Sequence, residues 1–197
     1  MSLTSVTFTI DGSAPYSQSR RVEVFEPKGA KESHDEWDER IWKLKAHTNA
    51  KGRVLIPAHG LHQAIVLGAQ KGRLKPTAAK SAREGLSKRL ETGIMLIGDA
   101  ETNVTIDDAH MEAIQANADG KRGSGKRVTR RFPVWNDWQA TFDVVLIDET
   151  LTVDDLKAAV RWAGLVAGIG RFRPSNGGSN GRFTIKDVAV GTFAEAA

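Results

Sequence analysis

The C-terminal third constrains the fold most. Thr141 to Ile147 is a strong apolar strand, closed by Asp148-Glu149. Thr152-Val153-Asp154-Asp155 then has the form of a capping box: a hydroxyl at the cap, a carboxylate three residues on, and acid in the first turn. Val153, Leu156, Val160, Ala163 and Ala167 repeat at helical spacing behind it. A glycine-rich stretch runs from Gly168 to Gly181, and the chain returns as Phe183 to Val190, where Phe183 and Ile185 alternate with polar neighbours. This third therefore reads as strand, helix, loop, strand.

The remainder is compatible with one α+β domain. Val6, Phe8 and Ile10 alternate with Thr7 and Thr9, the signature of a half-buried strand, and Asp11-Gly12 ends it. Val22 to Phe25 reads as a second strand. Trp37, Ile41 and Leu44 recur at helical spacing. Asn49 to Arg53 reads as a turn, Val54 to Ile56 as a short strand, and Pro57 as the opening of a helix carrying Leu61, Ile65 and Gly68; proline suits that position because its missing N–H costs nothing there. Gly93 to Ile97 reads as another strand. Asp99 to Ala118 is acidic and reads as weakly helical.

Composition excludes several chemistries. The 197 residues contain no cysteine, which removes disulfides, thiolate metal sites and a cysteine nucleophile. No apolar run is long enough to span a membrane, and the first residues read as a strand instead of a signal peptide; a cytoplasmic location is expected. Gly120 to Lys126 has P-loop spacing, but Arg127 stands where a magnesium-binding hydroxyl belongs, and no apolar helix follows. Gly168-Ile169-Gly170 follows a helix instead of opening one, which removes a dinucleotide fingerprint. His59 and His62, and the cluster Asp107, Asp108 and His110, lack zinc-hydrolase spacing. No catalytic residue, metal or cofactor is expected.

The net charge is only +4, from 28 Lys+Arg against 24 Asp+Glu, but its distribution is uneven. Residues 71–90 carry seven Lys/Arg against Glu84 alone and read as a solvated helix face. Lys121, Arg122, Lys126, Arg127, Arg130 and Arg131 follow one another without an intervening acid, among glycines, with Phe132 and Trp135 just beyond. Arg171, Arg173 and Arg182 lie in the terminal glycine-rich loop, with Phe172 between the first two. Cations for phosphates and rings for unpaired bases are what a single strand requires.

The segment from Gly168 to Ile185, GIGRFRPSNGGSNGRFTI, resembles the glycine-rich loop and following strand of the RAMP superfamily, and is most similar to backbone subunits of CRISPR effector complexes. Ile56-Pro57-Ala58-His59-Gly60-Leu61-His62 resembles the proline-led helix start of those subunits, with His59, Gly60 and His62 where they usually place Ser and Lys. Over nearly the whole chain, including Ala14 to Arg20 and Glu39 to Trp42, the resemblance is to small phage-encoded proteins of that type. It implies a ferredoxin-like (RRM-like) antiparallel sheet with helices on one face and an inserted basic thumb at about 99–135, in a single domain over 1–197. It implies a non-enzymatic protein that binds single-stranded nucleic acid and forms a homo-oligomer or filament along it, with DNA in replication or recombination favoured over RNA. The alternatives are a guide-RNA-binding backbone subunit or an RNA-cleaving nuclease of the same fold. Asp35 and Asp38 lie where some relatives carry a cleaving Asp, but no matching motif surrounds either. The residues expected at the interface are the twelve cations and rings named above, from Lys121 to Trp135 and from Arg171 to Arg182, together with His59 and His62.

Overall fold

The computed structural model describes residues 2–77, 84–117 and 127–194. Its centre is an antiparallel sheet. β1 (Ser2–Gly12) buries Val6, Phe8 and Ile10 completely on one face, as the alternation requires. After the two-residue β2 (Tyr16–Ser17), the chain forms α1 (His34–Ile41), which tightens into a 3-10 turn over Trp42–Lys45. β3 (Arg53–Ile56) leads through Pro57 into α2 (Ala58–Lys71), and α3 (Leu86–Gly93) into β4 (Ile94–Leu96). β5 (Ala100–Thr105), β6 (His110–Asn117), β7 (Arg127–Trp135) and β8 (Gln139–Leu146) follow. α4 (Val153–Trp162) starts at the Thr152–Asp155 capping box and ends in a π turn over Ala163–Ala167; β9 (Phe183–Ala194) closes the chain.

The main sheet has the order β3-β5-β8-β1-β9, with β4 also pairing β8. If the β6–β7 hairpin is set aside, β1-α2-β4/β5 and β8-α4-β9 are two interleaved β-α-β halves, the ferredoxin-like arrangement. Leu61 and Ile65 of α2, Leu86 and Leu90 of α3, and Leu156 and Val160 of α4 join Val6, Phe8 and Ile10 in one core, which places these helices on one face. β2, β7 and β6 form a second, three-stranded sheet. α1 packs on β7, and Trp37 and Ile41 make a small separate cluster with Val22. No helix among the described residues is long and apolar enough to cross a membrane.

Four local expectations are corrected. Residues 99–118 are strands with one 3-10 turn (Ile106–Asp108), not helix. β5 buries Ala100, Thr102 and Val104 while exposing Glu101 and Asn103, so residues 100–105 belong to the main sheet and the part that leaves it is the β6–β7 hairpin. Val22 to Phe25 is a turn, in which the N–H groups of Phe25 and Glu26 donate to the Val22 carbonyl; only Val22 of that apolar run is buried. Leu44 is exposed because the tightening after α1 turns Lys45 inward instead.

Candidate nucleic-acid interface

The open face of the main sheet is a poor surface for a strand. Its central strands β1 and β8 alternate, so the accessible positions opposite the core are Ser5, Thr7, Thr9, Thr141 and Asp143, while Val145 on the same row is buried. Thr7 Oγ1 donates to Asp143 Oδ1 at 2.5 Å. None of these five is aromatic or cationic, whereas RRM-type readout on a sheet uses rings at central-strand positions.

The basic and aromatic residues gather instead where the glycine-rich loop meets β2, the β6–β7 hairpin and α2. Gly170 holds the loop against β2: its φ is +75°, and a β-carbon there would lie 2.3 Å from the Ser17 carbonyl oxygen. This contact, with the Arg171 N–H donating to Ser17 O at 2.8 Å, fixes the direction in which residues 171–173 leave.

Two sets of arginines result. In the first, each guanidinium is held by the protein. Arg171 is only 8% exposed and donates to Glu112 Oε2 at 2.7 Å and to Ser17 Oγ at 3.3 Å. Its Cζ lies 3.6 Å from the Phe132 ring centroid and 4.0 Å from that of Phe172. Burial lowers the Arg171 pKa, against the pull of Glu112. Arg131 donates to both Asp35 carboxylate oxygens, at 3.0 and 3.4 Å, and lies 2.7 Å from Glu39. That pairing raises the Arg131 pKa and lowers that of Asp35. Arg130 pairs with Asp38 at 3.3 Å. Asp38 is wholly buried: it accepts two bonds from Lys45 Nζ, at 2.8 and 2.9 Å, and one from the Arg131 N–H. Lys45 also lies over Phe132, 4.5 Å from its centroid.

The second set lacks carboxylate partners among the described residues. Arg173 donates to Ser175 Oγ and to the Gly170 carbonyl, both at 3.0 Å. Arg20 is exposed and rests on the Phe25 ring. Both line a cavity of about 480 Å³ with His47, Pro57, Ile169 and Phe172. A second cavity of about 480 Å³ shares Gly60, Ile169, Gly170 and Arg173 with it and continues along α2 past His59 and His62. Together they form one groove between the glycine-rich loop, α2 and the segment after β2. Burial, and then the Arg20 charge, lower the His47 pKa against the opposing effect of Asp99.

The residues expected at the interface therefore separate. Phe172, Arg173, His59 and His62 line the groove. Arg130, Arg131 and Arg171 are committed to carboxylates, so they do not stand free for phosphates. Phe132 is half-buried under Lys45 and Arg171. Trp135 is a core residue, 1% exposed, with its Nε1 donating to the Thr105 carbonyl and its ring against Tyr16; it has no free face for a base. Arg182 is turned to the Leu165 carbonyl beyond α4. Arg127 is exposed at the start of β7, while Lys121, Arg122 and Lys126 lie outside the described residues. Arg20 and His47 were missed by sequence reasoning. The signal for Arg20 was present in the polar run Ser13 to Arg21, but an isolated Arg-Arg pair carries no more charge than a solvated turn.

No family model and no curated protein matches the chain. Among solved structures, it is similar to a chain of the cryo-EM structure of Type III-B Cmr-beta bound to cognate target RNA. The TM-score is 0.54 at 13% identity, over 95% of this chain and 60% of the other. The chain thus spans less than two thirds of that neighbour. At that identity the likeness lies in the fold alone.

Proposed function

We propose that this protein binds single-stranded nucleic acid, without cleaving it, along the groove between the glycine-rich loop and α2. The observation that carries the reading is the groove itself: Arg20 and Arg173 stand there without carboxylate partners among the described residues, beside Phe172, which is 44% exposed. Backbone charge and ring stacking together hold a single strand with little dependence on sequence.

The sequence resemblance to phage proteins favours DNA, in replication or recombination, with copies of the protein arrayed along the strand. A second reading, a backbone subunit on a guide RNA, is favoured by the likeness to a chain from a complex whose structure contains RNA. Cleavage through Asp38 has no support in the geometry, because that carboxylate is buried and already holds Lys45 and the Arg131 N–H.

Binding to labelled single-stranded DNA, single-stranded RNA and duplex across a salt series tests the proposal. Single strands should bind more tightly than duplex of the same sequence, and log affinity should fall against log salt by about 0.7 per neutralised phosphate. Equal affinity for duplex would overturn it. Co-purification of one defined small RNA would select the guide reading, and magnesium-dependent cleavage would overturn the non-enzymatic one.

A further inference from the structure

Phe172 is built into its place at a cost. Among the described residues it is one of two non-glycine residues with positive φ, +56°, a conformation disfavoured for a bulky side chain. The surroundings enforce it. Asn180 N–H donates to the Phe172 carbonyl at 3.0 Å, and a β-carbon at Gly178 would lie 1.9 Å from that same oxygen, so only glycine permits the approach. The ring so positioned does not enter the core; it is 44% exposed and backed by the Arg171 guanidinium. Strain held at an exposed ring points to a role outside packing.

The cavity beside this ring is equipped on three sides. Its volume of about 480 Å³ lies within the range of small-ligand pockets, about 300–1,000 Å³. Ile56, Pro57 and Ile169 supply apolar wall. The Arg171 side chain, more than nine-tenths buried and held by Glu112, lines it and backs the Phe172 ring. His47, Ser19 and Asn176 line it as well. Gln18 is fully used, donating to Tyr16 Oη and the Leu55 carbonyl and accepting from the His47 N–H.

We infer that this cavity receives one splayed-out nucleotide of the bound strand, its base against Phe172 and its phosphate between Arg20 and Arg173. The inference rests on the reading of the groove as a single-strand site and specifies what that site takes. The polar groups left to meet the base edge, a neutral imidazole, a hydroxyl and an amide, each include both donor and acceptor capacity. They can satisfy any base and discriminate weakly among them. Selection is then for an unpaired base, since a base inside a duplex cannot leave its stack without cost.

The test compares oligothymidylate (or oligouridylate, whichever the native protein binds) with a sugar-phosphate strand of equal length and charge that lacks bases. The native protein should bind the intact strand about 5- to 150-fold more tightly, the span of one stacked base. Phe172→Gly removes the ring and suits the positive φ, so the variant should fold with a near-native melting temperature and lose most of that ratio. His47→Ala should lose a smaller part of it. Equal binding of both strands by the native protein, each still salt-dependent, would overturn the pocket and leave the groove reading standing. A full ratio in folded Phe172→Gly would do the same. Failure of both strands to bind at low salt would overturn the groove reading and the pocket together.

Discussion

The seam around Arg171, Arg131 and Asp38 and the groove around Arg20 and Arg173 are both arginine-rich, and they adjoin: Arg171 of the seam also lines the groove, and Arg20 lines a further cavity with Lys45, Arg130 and Phe132. They differ in what the rest of the chain supplies. Glu112 from β6 and Asp35, Asp38 and Glu39 from α1 reach the seam and neutralise it, and Phe132 fills the space between the cations. In the groove, the arginines find a hydroxyl, a carbonyl and a ring, which leave their charge available. The lesson is that a basic run identifies a phosphate surface only where no carboxylate folds onto it.

The largest test of the contrast is Asp38→Ala. It strands Lys45, whose side chain is 7% exposed, beside Arg130 with only the longer-range attraction of Glu23 to oppose their charge. Breaking such a buried pair costs about 3–5 kcal/mol. For a chain of this size that is about 6–20 °C in melting temperature. Arg20→Ala, on an exposed side chain, should stay within about 0.5 kcal/mol of the native protein. Thermal unfolding of the two variants checks both. If Asp38→Ala melts with the native protein, the seam is not the internal brace that separates it from the groove.

A sharper and smaller test uses salt. Arg20→Ala combined with Arg173→Ala should flatten the slope of log affinity against log salt by about 1.4, two phosphates at about 0.7 each. Arg131→Ala should leave the slope unchanged, because Asp35 and Glu39 already hold its charge. The reverse pattern would exchange the two regions' roles.

The elements that sequence revealed are those whose pattern is local. The β1 alternation, the Thr152–Asp155 box and the Pro57 helix start each need fewer than a dozen neighbouring residues, and the structure contains all three. β6 was misread because its exposure alternates only weakly and neither face enters the core, so no buried stripe of period two existed to be seen. The sorting of the arginines was hidden for a different reason. Arg131 meets Asp35 across 96 residues, and Arg171 meets Glu112 across 59. Only tertiary folding brings those charges together, so glycine and arginine content marked the right loop without showing which of its cations stay free. Trp135 was read as a base platform because it adjoins a basic run. Its indole N–H instead donates to the Thr105 carbonyl, a partner on the other sheet that only tertiary folding brings near.

The smallest effect lies in pH and bears on the groove alone. Burial, with the Arg20 charge, holds the His47 pKa below the ordinary value in the folded protein, and Asp99 opposes this only in part. The unfolded chain therefore takes up a proton at a higher pH than the folded one. His47's contribution to stability is fully present above the unfolded value, about 6.5. It is lost as pH falls from there through the folded value, below which it changes no further. A bound strand reverses the balance, since a phosphate at Arg20 offsets the Arg20 charge that helps to lower the His47 pKa. Binding then takes up a proton, and affinity should rise across the same window in which the melting temperature of the free protein falls. His47→Gln should flatten both curves between about pH 7.5 and 5.5, above the range in which the ordinary carboxylates titrate. Affinity and melting temperature falling together in the native protein, or an unchanged affinity curve in His47→Gln, would place the strand away from His47 and break the distinction between an open groove and a closed seam.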